Sequence, residues 1–210
     1  MKKIILILFL FLSCYLIYDL TEDNSLSYLS IGDKISDNPY IKNNKEIKEY
    51  NNLYTNEDYR ITDLINIIKY NKEIDNISIH RLLKNTDILI ISIGMNDLYY
   101  KLNLNNEKIY TYINDMINNM EILLQEINKY SYKKVFILGY YNITNEDNDI
   151  FTYLNYKMKR IIKNPNYEYI DLNNILRNNA KFYKKSNNFN LNNQGYNEIN
   201  KIIVEKLEKY

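Results

Sequence analysis

The stretch 88-ILIISIGMND-97 decides the fold. From Ile88 to Ile93 the only polar side chain is Ser92, and the run stops at Gly94. An apolar segment this short and rich in isoleucine predicts a strand covered on both faces, the condition of a central strand in a parallel sheet. The switch to Gly-Met-Asn-Asp then predicts a turn at its carboxyl end.

The same grammar recurs on either side. The segment 26-LSYLSI-31 runs into 32-GD-33, 133-KKVFILG-139 again ends a strand on glycine, and 167-YEYIDL-172 gives a further short strand. Helical periods lie between them. In 60-RITDLINIIKY-70, Ile61, Leu64, Ile65 and Ile68 share one face. From Glu107 to about Tyr130 the residues Ile109, Ile113, Met116, Met120, Leu123 and Ile127 form one stripe. The segment 150-IFTYLNYKMKRII-162 is helical as well, and a last helix after Gly195 carries Tyr196, Ile199, Ile203 and Leu207 on its apolar face. Alternating strands and helices predict one three-layer α/β domain over residues 26–210, with a largely parallel sheet and helices on both faces.

Composition narrows the function. The 210 residues are 46% hydrophobic and 25% charged, which excludes a disordered chain, and a formal net charge of +1 supplies no field for nucleic acid. A single cysteine, Cys14, and a single histidine, His80, make neither an internal disulfide nor a His/Cys metal site, so neither metal nor cofactor is expected. His80 precedes the central strand and reads as a helix-boundary residue. Tyrosine reaches 23 residues while tryptophan is absent, so abundant tyrosine and asparagine reflect a compositional bias first. Glycine is rare. Gly32, Gly94, Gly139 and Gly195 are the whole set, and each marks a place where a side chain obstructs the backbone.

The first twenty residues are set apart. Lys2 and Lys3 precede an apolar run from Ile4 to Tyr18, broken only by Ser13 and Cys14, and a polar connector over 21–25 follows. The run is long for a signal peptide and short for a membrane span of about 20 residues. No small-residue cleavage site follows, which favours an uncleaved anchor over a cleaved signal, with lipidation of Cys14 the competing reading. The lysine pair implies an inside amino terminus and an extracytoplasmic domain.

In a sheet of this class ligands bind beyond the carboxyl ends of the strands. The segments there are 32-GDKIS-36, 94-GMND-97 and 139-GYYN-142, and 187-NNFNLNNQGY-196 feeds the last helix; together they hold all four glycines. Over about Ser27 to Lys209 these blocks resemble the SGNH (GDSL-type) esterase and lipase family, which implies a flavodoxin-like fold and hydrolysis of lipid, sugar or small acyl esters. The family's Gly-Asp-Ser is similar to Gly32-Asp33-Lys34, and its second-block glycine falls on Asp58, before 59-YRITDL-64. Gly-x-Asn-Asp is intact as Gly94-Met95-Asn96-Asp97. The final Asp-x-x-His-x-Asn-x-x-Gly-Tyr is matched by Asn187, Asn190, Asn192, Gly195 and Tyr196.

The departures fall on the triad. In the family the serine attacks the ester carbonyl, the histidine takes its proton, and the aspartate orients the histidine. Those positions hold Lys34, Asn190 and Asn187 here. An amide offers no basic lone pair near neutrality, and Asp33 beside Lys34 favours the charged ammonium over a nucleophilic amine. The resemblance leaves the oxyanion donors: the backbone N–H groups of Lys34 and Asp58 and the side-chain amide of Asn96. At Asp58, a left-handed φ would strain an aspartate where glycine is free. The expectation is therefore a membrane-anchored protein of degenerate catalysis that binds a small acyl, anionic or carbohydrate ligand. An active esterase with substituted residues, using Lys34 or Asp97, is the alternative, and an interaction protein with a vestigial pocket is the second.

Overall fold

The computed structural model describes residues 26–33, 35, 47–99, 101–102, 106–142, 148–176, 179–184 and 187–207. The expected anchor segment 1–20, its connector and Lys34 lie outside them. In chain order the elements are β1 (Leu26–Gly32), β2 (Ile47–Thr55), α1 (Ile61–Lys69), the short strands β3 (Glu73–Ile74) and β4 (Ile77–Ser78), and α2 (Ile79–Lys84). There follow β5 (Ile88–Ser92), α3 (Met95–Tyr99), α4 (Asn106–Ile127), β6 (Lys134–Leu138), α5 (Asn148–Ile161), β7 (Tyr167–Ile170) and α6 (Leu172–Leu176). The chain closes with β8 (Tyr183–Lys184), β9 (Asn187–Leu191) and α7 (Asn193–Leu207).

Five parallel strands make the central sheet in the order β2-β1-β5-β6-β7. All five residues of β5 are buried. The reason is visible in the two cores: Leu89 and Ile91 face the layer that includes α1, α4 and α5, while Ile88 and Ile90 face the layer of α7. A strand with helices on both sides has no solvent face, so its sequence shows no alternation. β5 and β6 are neighbours, and α4 connects them.

Helix α4 keeps its stripe. Ile109, Ile113, Met116, Met120, Leu123 and Ile127 are buried, whereas Asn114 and Asn118 are exposed and Asn119 is half-buried. Removing each such side chain from water contributes roughly 1.5–3 kcal/mol, which outweighs the weak helix propensity of the asparagines between them.

Two elements escape a reading by hydrophobic period. β2, 47-IKEYNNLYT-55, is an edge strand of the five-stranded sheet, and its mixed polar residues carry no period that assigns it an element. The hairpin of β3 and β4 turns on Asp75 and Asn76, both with left-handed φ (52° and 60°), the conformation such a two-residue turn demands. The last helix starts at Asn193, ahead of Gly195, because Asn192 caps it: its Oδ1 accepts from the N–H groups of Gln194 (2.9 Å) and Gly195 (3.1 Å).

Met116→Asp should lower unfolding free energy by about 3–5 kcal/mol through an unpaired charge in the core, while Asn118→Asp on the exposed face should stay within about 0.5 kcal/mol. Chemical denaturation of the two variants checks this.

Candidate functional site

The chain leaves β1 for β2 on one side and later returns to β5 on the other. The strand order therefore reverses between β1 and β5, and a crevice opens beyond their carboxyl ends, the usual ligand position in such sheets. Gly32-Asp33 and Gly94–Asp97 flank it.

Gly32 has φ +116°, and a Cβ there would lie 1.8 Å from the Ser92 carbonyl oxygen. Only glycine fits. The close approach lets the Asp33 N–H donate to that carbonyl at 2.6 Å, joining the ends of β1 and β5. The Asp33 side chain turns inward, where Oδ1 accepts from Ser92 Oγ (2.5 Å) and the Ile35 N–H (3.1 Å). Burial pushes its carboxyl up to about 6, against the downward pull of both hydrogen bonds.

Across the crevice Gly94 has φ +108°, and a Cβ there would sit 2.5 Å from the buried Tyr140 hydroxyl. The backbone then enters α3. Asn96 donates its amide to the carbonyls of Glu57 (2.5 Å) and Tyr59 (3.0 Å). Asp97, buried, accepts from the Ile61 N–H at 3.1 Å and so caps α1; burial raises its carboxyl, and Arg60 opposes that rise. The two motif side chains thus fasten the segment before α1 to the end of β5.

Asp58 is exposed and lies in that fastened segment. Its N–H donates to Asn56 Oδ1 at 2.9 Å, and it is not among the non-glycine residues of left-handed φ. Of the expected oxyanion donors, the Asn96 amide and the Asp58 N–H are both engaged within the protein, and Lys34 lies outside the described residues. Asn187 and Asn190 belong to β9, which pairs with β8, but their side chains are also outside the described set. Gly195 packs its bare Cα where a Cβ would meet the Phe182 carbonyl at 2.6 Å. Among the described residues no three His, Cys, Asp or Glu side chains converge on a possible metal position.

Three further residues shape the crevice. Ser92 holds Asp33, and a lone hydroxyl in an apolar strand was its sequence signal. Tyr140 fills the space under Gly94. Tyr196, half-buried at the start of α7, lies within electrostatic reach of Asp33 and Glu57; burial, then those carboxylates, raise its hydroxyl. His80 is elsewhere, its Nε2 2.6 Å from the Ile68 carbonyl at the end of α1.

The Asp33 carboxyl is raised in the folded state, so the folded chain holds its proton over a range in which the unfolded chain has released it. The associated stability is complete below the ordinary value of 3.8 and is lost as pH rises through about 6. Asp33→Asn retains an acceptor for Ser92 and Ile35. Relative to the parent, this variant should gain about 3 kcal/mol between acid and neutral pH, read from unfolding curves across that window.

No family model matches the chain, and no curated protein sequence does. Solved structures do match. A lipase, Lip_vut3, from a goat rumen metagenome superposes with a TM-score of 0.70 at 15% identity, covering 86% of this chain and 97% of that one. A catalytic mutant of Axe2, an acetylxylan esterase from Geobacillus stearothermophilus, superposes with a TM-score of 0.65 at 14% identity, covering 86% and 93%. Identities this low speak to architecture, and together with the strand order and the glycine-marked strand ends they establish that the chain has an SGNH/GDSL-like hydrolase fold.

Proposed function

We propose that this chain is a membrane-anchored, extracytoplasmic SGNH-fold protein that does not hydrolyse esters and acts by binding a ligand or partner at the crevice between β1 and β5. The observation that carries the reading is the occupancy of the triad positions by Lys34, Asn190 and Asn187, on a scaffold that keeps its Gly32-Asp33 and Gly94–Asp97 frame. Proton transfer needs a base with a lone pair at neutral pH, and no amide provides one. Asp33, whose carboxyl is pushed up to about 6 by burial, is 5% exposed and already accepts two hydrogen bonds.

Lipase and acetylxylan esterase are the activities named for the structural neighbours, so acyl or acylated-carbohydrate ligands are the first class to test. The inward engagement of Asn96 and the Asp58 N–H supports the second reading, an interaction protein with a vestigial pocket, because an oxyanion would have to displace the Glu57 and Tyr59 carbonyls and Asn56.

The full chain should hydrolyse p-nitrophenyl acetate no faster than its Asn96→Ala variant. Lys34→Ser, Asn187→Asp and Asn190→His introduced together should create turnover, whereas each alone should do little, since a triad acts as a unit worth roughly 10³–10⁶-fold. Rapid hydrolysis by the unmodified chain that disappears in Lys34→Ala would sink the proposal. Titration with acetate and acetylated xylo-oligosaccharides separates the two non-catalytic readings: a response lost in Asn96→Ala supports the binding site, and no response supports the vestigial pocket.

A further inference from the structure

Charge in this molecule is sorted along the strand direction. Because the central strands are parallel and alternate with helices, α1, α2, α4, α5 and α7 finish at the end of the sheet remote from the crevice, where the strands begin. Contacts draw that end together: His80 reaches Ile68 and sets its ring against that of Tyr130 at a tilt of 57°, Asn164 donates to Asn128, and Lys133 pairs with Asp87.

Exposed cations crowd this end. Lys69 closes α1 and Lys72 follows it, Arg81 and Lys84 lie on α2, Lys129 and Lys133 follow α4, and Arg160 lies in the last turn of α5 with Lys163 after it. Basic residues in a last helical turn answer the helix dipole. Lys72, Lys133 and Lys163 lie beyond the helices, so that explanation does not reach them. Carboxylates at this end are fewer than the cations: Glu49, Glu73 and Asp75 are exposed, while Asp87, Glu126, Glu168 and Glu205 are paired with Lys133, Lys129, the Lys134 and Lys206 ammoniums, and Lys201. The crevice end carries the reverse sign in Glu57, Asp58, Asp63, Glu107 and Asp149, diluted by Arg60, Lys101 and Lys108. Tyr70, 66% exposed, stands at the basic end with the Lys69 ammonium 5.8 Å from its ring, an amphipathic aromatic of the kind found at bilayer interfaces.

We infer that the basic end of the sheet is a docking face for an anionic lipid bilayer surface, holding the crevice outward. Charge complementarity is the first support, since clustered lysines and arginines are attracted by a surface of acidic headgroups. The second is where the chain enters. β1 begins at this same end with Leu26, and the 25 residues before it include the apolar run Ile4–Tyr18. The orientation rests on the membrane-anchored reading above. A cavity of about 120 Å³ between β1, β2 and α2 opens here with Arg81 in its wall, but Glu49 also lines it, so a phosphate is better attracted by the face than by the cavity.

The test uses the full chain with Cys14→Ser and a single fluorophore-bearing thiol, at Asn166→Cys on the basic end or at Thr152→Cys near the start of α5. Each is incorporated into phosphatidylcholine vesicles with and without phosphatidylglycerol and titrated with acrylamide, a neutral quencher. In anionic vesicles the 166 label should become about fivefold less accessible and the 152 label should not change. Protection should fade with added salt and should be absent in neutral vesicles and in the Lys69→Glu, Lys72→Glu, Lys163→Glu triple variant, whose thermal unfolding confirms folding. Equal accessibility of both labels on vesicle-bound chain overturns the docking face while leaving the anchor standing. Charge-dependent protection by anionic vesicles, from a chain that fails to associate with neutral ones, keeps the face and overturns the anchor. Protection by soluble polyglutamate without any effect of anionic vesicles assigns the face to an acidic protein and overturns the lipid proposal.

Discussion

The structure turns on one close contact, the approach of Gly32 to the carbonyl of Ser92. The missing Cβ lets β1 and β5 meet at their carboxyl ends, the Asp33 N–H closes the junction, and Ser92 Oγ secures the aspartate from the other side. Any side chain at position 32 would force the two strands apart where the sheet order reverses. The crevice, the direction in which α3 leaves and the position of the segment before α1 all follow from that junction.

Around it, polar motif residues serve as fasteners. Asn96 and Asp97 hold the loop and helix cap between Glu57 and Ile61, and Asn192 does the same for the last helix while its amide reaches the Lys181 carbonyl. Farther out, Asn155 brackets Tyr140 by accepting from its N–H and donating to its carbonyl, and Asn173 accepts from the Asn142 N–H. The asparagine bonds among them are neutral hydrogen bonds to backbone, each worth about 1 kcal/mol and insensitive to pH, whereas Asp97 accepts through a titratable carboxyl. A scaffold held in this way takes its geometry from backbone hydrogen bonds and close packing at the strand ends, so the fold does not depend on which side chains occupy positions 34, 187 and 190.

Much of this was legible in the chain. β5 announces itself because burial on both faces leaves an uninterrupted apolar run, and α4 does because burial on one face leaves a period near 3.6. The glycines were readable because a composition so poor in them retains them where a Cβ would collide, with backbone at Gly32 and Gly195 and with a tyrosine ring at Gly94 and Gly139. β2 was not legible: an edge strand among polar neighbours can be built from Lys, Glu and Asn, so no period survives. The inward turn of the Asn96 amide was equally hidden. A motif fixes which residue occupies the strand end, but its hydrogen-bond partners, the Glu57 and Tyr59 carbonyls, come from a loop whose path depends on the edge strand before it.

That edge strand bears on how the protein behaves at high concentration. An open sheet is a template for further strands, and a flat apolar border recruits other chains into growing ribbons. The register of β1 against β2 breaks twice, between Leu26 and Ser27 and between Leu29 and Ile31, so the border is twisted out of the plane that ribbon growth requires. Glu49, Asn51 and Asn52 along it add hydration that an incoming strand would have to strip. The least regular strand of the sheet is in this sense the terminator of its own border, closing that side to ribbon growth in a chain rich in isoleucine and tyrosine.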